Sequence, residues 1–289
     1  LTRDFKLTNV YSIHNQEYAW SCKMNSLEEI MKSLVSAPAL FSLAGKRAVV
    51  VGGNKGLGQA MALALAAAGA DVCVVGRGPD GLQETAGAIS QYGQKGLYFA
   101  ADVTNEHNVV ELMRYIRREF GGLDILVNSQ GTVYLKDTVD FEEEEWQKVI
   151  DVNLKSVFLT CKHAAKLMVE QGKGKIINIS SVRGFQGRAQ DLAYAPSKGA
   201  VNQLTRSLAI ELGPKGINVN AIAPVFTLTA ISAPQINDPE KLKWILSRIP
   251  MKRLSRLEDL FGPVIFLASS ASDFVNGHIL SVDGGWLCA

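Results

Sequence analysis

The chain has 289 residues, is 47% hydrophobic and 20% charged, and carries a net charge of +2. This suits a globular protein with a substantial core, as one large domain or two small ones, and gives no electrostatic case for nucleic acid or an anionic membrane as partner. The four cysteines (Cys22, Cys73, Cys161, Cys288) and four histidines (His14, His107, His163, His278) are scattered without CxxC or HExxH spacing, so they read as reduced thiols of a cytosolic protein, and neither a disulfide framework nor a catalytic metal is expected.

Residues 1–44 lack the strand–helix rhythm of the rest of the chain and are expected to form an N-terminal extension or arm. It packs on the domain or on a neighbouring subunit, or else remains a partly disordered leader. Within it, "SLEEIMKSLV" (26–35) places Leu27, Ile30, Met31 and Leu34 on one helical face, and Ser26 precedes Glu29 at capping-box spacing. The first residues lack the basic-then-apolar pattern of a secretory signal. No apolar run is long enough to span a bilayer; the richest, "AMALALAAAGA" (60–70), reads as a closely packed buried helix.

From residue 45 to 289 strands and helices alternate. "RAVVVGG" is a β-branched run ending in glycine, and "GLGQAMALALAAAGA" is helical. The strand "DVCVVGR" precedes the helix "GLQETAGAISQYG"; "GLYFAADV" precedes "NVVELMRYIRREFG"; "LDILVNSQG" precedes the long helix "EEWQKVIDVNLKSVFLTCKHAAKLMVEQG". The strand "GKIINISS" precedes the helix "YAPSKGAVNQLTRSLAIELG". "INVNAIAP" is a sixth strand, "LEDLFGPVIFLAS" a last helix and "HILSVDGG" a last strand. Apolar strands without strict alternation, each followed by a helix, predict a parallel sheet covered on both faces, a single-domain doubly wound α/β fold. The segment from about 225 to 251 breaks the rhythm and is expected to be a substrate lid. Ligands of such sheets bind beyond the carboxyl ends of the strands. The unusual residues fall there: Gly52 to Gly58 after strand one, Asn128 to Gly131 after strand four, Ser181 after strand five and Pro224 after strand six.

"GGNKGLG" sets Gly52, Gly56 and Gly58 between a strand and a helix. Glycines there let the backbone turn tightly and approach a pyrophosphate, while the helix N-terminus offers free N–H groups. The second strand ends in Gly76 and Arg77, where an acidic residue would bind the ribose hydroxyls of NAD, and Lys55 lies inside the glycine turn. Two cations at that place favour a 2′-phosphate, hence NADP; the alternative is that both are solvated surface charges.

"AYAPSKGA" places Tyr194 and Lys198 on adjacent turns of one helix. Alone, the pair is uninformative. With Ser181 thirteen residues earlier and Asn153 in the preceding helix, the chemistry of carbonyl reduction becomes readable. A tyrosine supplies the proton at the oxygen, an ammonium lowers its pKa from ~10, a serine holds the substrate oxygen and an asparagine orders a water.

These motifs, in this order, resemble the short-chain dehydrogenase/reductase family over residues of about 44 to 289, whose fold is the Rossmann fold. The resemblance implies that Gly52, Asn54, Lys55, Gly56, Leu57, Gly58, Arg77, Asp102, Val103, Asn128, Gly131, Tyr194, Lys198 and Pro224 contact the cofactor. It implies that Tyr194 is the acid/base, that Lys198 tunes it and binds the nicotinamide ribose, that Ser181 positions the carbonyl and that Asn153 orders the relay water. It also implies a homotetramer packed through the long helices before strands five and six. Three departures stand out: Val51 for the usual threonine, Ser129-Gln130 for Asn-Ala, and Val225 for the glycine after Pro224.

The C-terminal run resembles the family's sugar-acid branch, the gluconate 5-dehydrogenases and 2-dehydro-3-deoxygluconate 5-dehydrogenases. The implied function is NADP(H)-dependent interconversion of a ketone and a secondary alcohol on a small sugar, sugar acid or polyol. A sugar acid requires a cation. That branch carries paired arginines after the strand-four glycine; here Tyr134 and Leu135 stand in their place, with Lys136 next. Lys136, Arg183 and Arg188 are the candidate substitutes, the alternative being that the two arginines are surface charges. Two alternatives stay open: a 3-oxoacyl thioester reductase, and a non-catalytic dinucleotide-binding regulatory or assembly protein.

Overall fold

A computed structural model describes residues 27–229 and 232–289. The chain divides into two units, Leu1–Ser36 and Ala37–Ala289. In the first, the described part holds a helix, α1 (Leu27–Ser33), within the stretch predicted from sequence. The capping residue Ser26 lies outside the described residues, as do Cys22 and His14.

The second unit opens with α2 (Ala37–Phe41), so residues 37–44 belong to it, and Leu43 is fully buried in its core. The elements then follow as β1 (Arg47–Val51), α3 (Gly56–Ala67), β2 (Asp71–Gly76), α4 (Asp80–Ser90), β3 (Gly96–Ala100), α5 (Glu106–Phe120) and β4 (Ile125–Asn128). After β4 come α6 (Glu143–Ile150), α7 (Ser156–Gln171), β5 (Gly174–Ile179), α8 (Tyr194–Leu212) and β6 (Ile217–Pro224). The chain closes with α9 (Ala233–Ile236), α10 (Pro239–Arg248), α11 (Phe261–Ala268) and β7 (Ile279–Val282).

The seven strands form one parallel sheet in the order β3-β2-β1-β4-β5-β6-β7. Two cores explain why the strands are apolar on both faces. Val49, Val51, Cys73 and Leu126 point toward α5, α7 and α8, while Ala48, Val50, Val72 and Ile177 point toward α3, α4 and α11. The connection turns from one side of the sheet to the other between β1 and β4. That opens a crevice at their carboxyl ends.

Two predicted elements differ in detail. The long helix over "EEWQKVIDVNLKS…" is broken by a π-helical turn at Asp151–Lys155, and such turns recur at functional sites. The segment 225–251, read as breaking the strand–helix rhythm, contains α9 and α10. Asp238 caps α10 by accepting from Glu240 N and Lys241 N, and Pro239 occupies its first turn. Among the described residues no helix is long and apolar enough to cross a membrane.

Candidate active site

A cavity of about 1060 Å³ lies along the carboxyl ends of the strands. Its walls come from the turn after β1, the ends of β2 and β3, the loops after β4 and β5, the start of α8 and the segment after β6.

At one end the glycine turn enters α3. Gly52 has φ +77, and a Cβ there would meet Gln130 N at 2.9 Å; a Cβ on Gly58 would meet Gly52 O at 2.1 Å. The turn is therefore folded tightly against the helix start and the loop after β4. No side chain caps the N-terminus of α3, where Lys55 is extended and Gly56, Leu57 and Gly58 line the cavity. These uncapped N–H groups and the dipole make an anion cradle. Asn54, Arg77, Asp102 and Val103 line the same end. Lys55 and Arg77 are exposed at its rim, and neither forms a salt bridge with a described residue. The Asp102 carboxyl is held below its ordinary range, chiefly by the N–H of Thr104, with Arg77 contributing. The cradle, the uncapped helix and the two cations fit a dinucleotide with an extra phosphate.

At the centre stand Ser181, Tyr194 and Lys198. Ser181 follows β5, and its Oγ accepts from Arg183 N at 3.1 Å. Tyr194 opens α8, and Lys198 lies one turn on, its Nζ 5.7 Å from the Tyr194 ring centroid. Lys198 is 3% exposed and donates to the Ile179 carbonyl at 2.7 Å. Burial pushes its ammonium down to about 8. Burial also raises the Tyr194 phenol, against the lowering effect of the Ser181 hydrogen bond. The expected depression of the tyrosine by Lys198 is thus not what governs this pair: desolvation drives both groups toward neutrality. Pro224, Gly131 and Gln130 complete this part of the wall.

Asn153 and Asn128 do not line the cavity. Asn153 sits in the π-helical turn and is fully buried. Its Nδ2 donates to Thr132 O at 2.9 Å and Ser197 Oγ at 3.1 Å, while its Oδ1 accepts from Thr132 N at 2.8 Å. Its side chain clamps the loop after β4 to α8. Asn128 is likewise committed: Nδ2 donates to Asn178 Oδ1 at 2.9 Å, and Oδ1 accepts from Thr160 Oγ1 at 2.7 Å. It ties β4 to β5 and α7.

The far end is formed by Arg183, Arg188, Asp191, Phe226, Ser232 and Gln235. Lys136 is not there: its ammonium pairs with Glu145 at 2.7 Å, and neither residue lines the cavity. Sequence reasoning missed Asp191, although it accepts from Ala195 N at 3.0 Å and its place just before a helix was a capping signal. Ser232 and Gln235, which line the cavity, and Trp286, which lies under Arg183, carried no signal, because only the fold of the segment after β6 and of the C-terminus brings them together. The departures have structural roles. Gln130 Nε2 donates to Ser156 Oγ at 2.9 Å, and Val225 packs with Val182, Ile245, Ile249 and Trp286, fixing the start of the segment after β6.

Comparisons with known proteins agree with this geometry. A family model described as enoyl-(acyl carrier protein) reductase matches residues 51–287. The chain is 44% identical to the 2-dehydro-3-deoxy-D-gluconate 5-dehydrogenase of Escherichia coli K12, covering 86% of this chain and 97% of that one. It is 37% identical to the 5-keto-D-gluconate 5-reductase of the same strain, covering 86% and 98%. The crystal structure of a gluconate 5-dehydrogenase from Burkholderia cenocepacia J2315, in complex with NADP and tartrate, superposes with a TM-score of 0.85 at 34% identity, covering 88% of this chain and all of that one. The chain belongs to the short-chain dehydrogenase/reductase family.

Proposed function

We propose that the protein is an NADP(H)-dependent oxidoreductase that interconverts a ketone and a secondary alcohol on a small polyhydroxy substrate of the sugar-acid type. The observation that carries this reading is the convergence of Ser181, Tyr194 and Lys198 in the same cavity as the glycine cradle. The names of the relatives support the substrate class, and the NADP in the Burkholderia structure supports the cofactor.

In this reading Gly52, Asn54, Gly56, Leu57 and Gly58 hold the pyrophosphate half, Asp102 and Val103 flank the adenine, and Lys55 and Arg77 receive the 2′-phosphate. Gly131, Lys198 and Pro224 border the nicotinamide half. When bound, the nicotinamide supplies or accepts the hydride at the substrate carbon. The protein's own part is the proton. Ser181 holds the substrate oxygen, and the Tyr194 hydroxyl delivers a proton to that oxygen in reduction or takes it in oxidation. Burial keeps Tyr194 protonated at neutral pH, which suits the reducing direction. Lys198, still mostly an ammonium at pH 7, steadies the phenolate left behind. Asn153 acts through others, by holding the loop after β4 against α8.

Purified protein is expected to oxidise NADPH with 5-keto-gluconate more efficiently than with an acetoacetyl thioester. Tyr194→Phe is expected to lower turnover by roughly 10²–10⁴-fold or more while NADPH binding persists. Retained activity would refute the assignment. NADPH binding without turnover on any carbonyl would point to a non-catalytic dinucleotide-binding protein instead.

The reading extends to a homotetramer in the cytoplasm. Exposed Phe158 and Val169 on α7 and Ile210 on α8 supply apolar surface for subunit packing. The thiols of Cys73 and Cys161 are buried, free and pushed up to about 12, as suits a reducing compartment. Light scattering tests the assembly; a monomer at micromolar concentration would refute it.

A further inference from the structure

The far end of the cavity holds two arginines that are not equivalent. Arg188 is engaged: Nη1 donates to Gln235 Oε1 at 2.7 Å, and Nη2 lies 3.5 Å from Asp191 Oδ2. The Asp191 side chain has no exposed surface. Arg188 therefore balances a buried carboxylate and ties the loop after β5 to α9.

Arg183 has neither kind of partner. It is 8% exposed, and its guanidinium makes one long hydrogen bond, from Nη1 to Gly187 O at 3.5 Å. Its Nη2 is buried and has no hydrogen-bond partner among the described residues. A desolvated guanidinium with an idle donor is costly unless the site is built to receive an anion. The guanidinium is also held in place. It lies over the Trp286 ring at 5.3 Å, and that ring is itself wedged edge-on between Phe226 and Trp244 and donates from Nε1 to Gln186 Oε1 at 2.9 Å. A planar fork fixed on an aromatic face is preorganised for two-point recognition of a carboxylate.

Local charge agrees. Two guanidiniums against the Asp191 carboxylate leave one positive charge at this end of the cavity. Arg248 also lies over Trp286, at 5.8 Å, but it donates to the Ala289 carbonyl and does not line the cavity.

We propose that Arg183, seated on Trp286, is the residue that selects a carboxylate-bearing polyhydroxy substrate over a neutral one, and that Arg188 is a structural tie outside the anion contact. The inference rests on reading this cavity as the ketone/alcohol site. It assigns the carboxylate contact of that substrate class, an aldonate or keto-aldonate, to one residue and divides the work between two residues that the sequence could not distinguish.

The test is a binding measurement on the full chain with NADPH present. D-gluconate and its neutral counterpart D-glucitol are titrated by calorimetry. Both are alcohols, so the reduced cofactor cannot turn them over. The wild-type protein is expected to bind gluconate more tightly than glucitol. Arg183→Gln is expected to reduce that preference by roughly 10- to 100-fold, and Arg183→Lys by less, because charge remains while the fork is lost. Arg188→Gln is expected to keep most of the preference, and NADPH affinity reports that each variant is folded. No preference in the wild type, or a preference that survives Arg183→Gln and vanishes in Arg188→Gln, overturns the proposal. The readout is independent of turnover. A preference governed by Arg183 in a protein that reduces no carbonyl would refute the enzymatic reading and leave the carboxylate site standing.

Discussion

Lys198 shows how one buried residue trades stability for chemistry. Its ordinary pKa of 10.5 falls to about 8 because burial disfavours the charge. Below pH 8 the folded chain holds a desolvated ammonium, and this destabilising contribution is fully present. As pH rises from about 8 toward 10.5, the folded chain sheds the proton first and the destabilisation is relieved. Lys198→Met is therefore expected to be inactive yet more stable than the parent at pH 7, by roughly 1–2 kcal/mol after the lost bond to Ile179 O is counted. The margin narrows above pH 8. Urea titrations at pH 7 and pH 10 check this, and a margin that widens with pH would contradict it. At the same scale, the proposed role of the rim cations in cofactor choice can be tested. Arg77→Asp is expected to raise the Michaelis constant for NADPH by roughly 10-fold or more while changing that for NADH little, since only NADPH carries the phosphate. Steady-state kinetics with both cofactors decide it.

Among elements, the contact between the glycine turn and α3 leaves no room for a side chain. A Cβ at Gly58 would lie 2.1 Å from Gly52 O, so Gly58→Ala must push the helix start off the turn. Loss of NADPH affinity together with a destabilisation of about 1–3 kcal/mol is expected, measured by fluorescence titration and thermal melting. The π-helical turn is the second such device. It presents Asn153 to Thr132 and Ser197 at once, joining the loop after β4 to the start of α8. Much of this scale was legible in the sequence: strand and helix order follow from apolar runs and helical periodicity. The break in the long helix was not, because a π-helical turn has no compositional mark. Nor was α10, whose apolar face is short and whose surroundings are irregular.

Across the molecule, stability and function sit at opposite ends of the sheet. At the amino ends of the strands Asp124 accepts from Arg47 Nε at 2.6 Å, Arg47 Nη2 at 3.1 Å and Arg47 N at 3.0 Å. Burial works to raise the Asp124 carboxyl, but Arg47 outweighs it and holds the group below the ordinary range. Its stabilisation is present above about pH 4 and is lost as pH falls further. Asp124→Ala is expected to cost about 2–3 kcal/mol at pH 7 and less near pH 3, with kcat unchanged at temperatures where the variant is folded. Denaturation at both pH values, with an activity assay, tests this separation. An equal loss at both pH values would show that the carboxylate charge is not the source.

The sequence by itself determined the parallel α/β sheet, its strand order along the chain, the glycine cradle and the Ser181, Tyr194 and Lys198 set. Each depends on local pattern: periodicity, a turn that only glycine can make, a spacing of four along a helix. The tertiary structure alone decided which polar residues face the cavity. Asn128 and Asn153 turned inward because buried amides must satisfy every donor and acceptor with neighbours distant in sequence. Lys136 left the site for Glu145. Arg183 and Arg188, equal candidates on paper, parted because Asp191 and Gln235 engage one and Trp286, a hundred residues away, supports the other. A charge is available to a ligand only when the fold leaves it without a partner, and that depends on the packed arrangement of the whole chain.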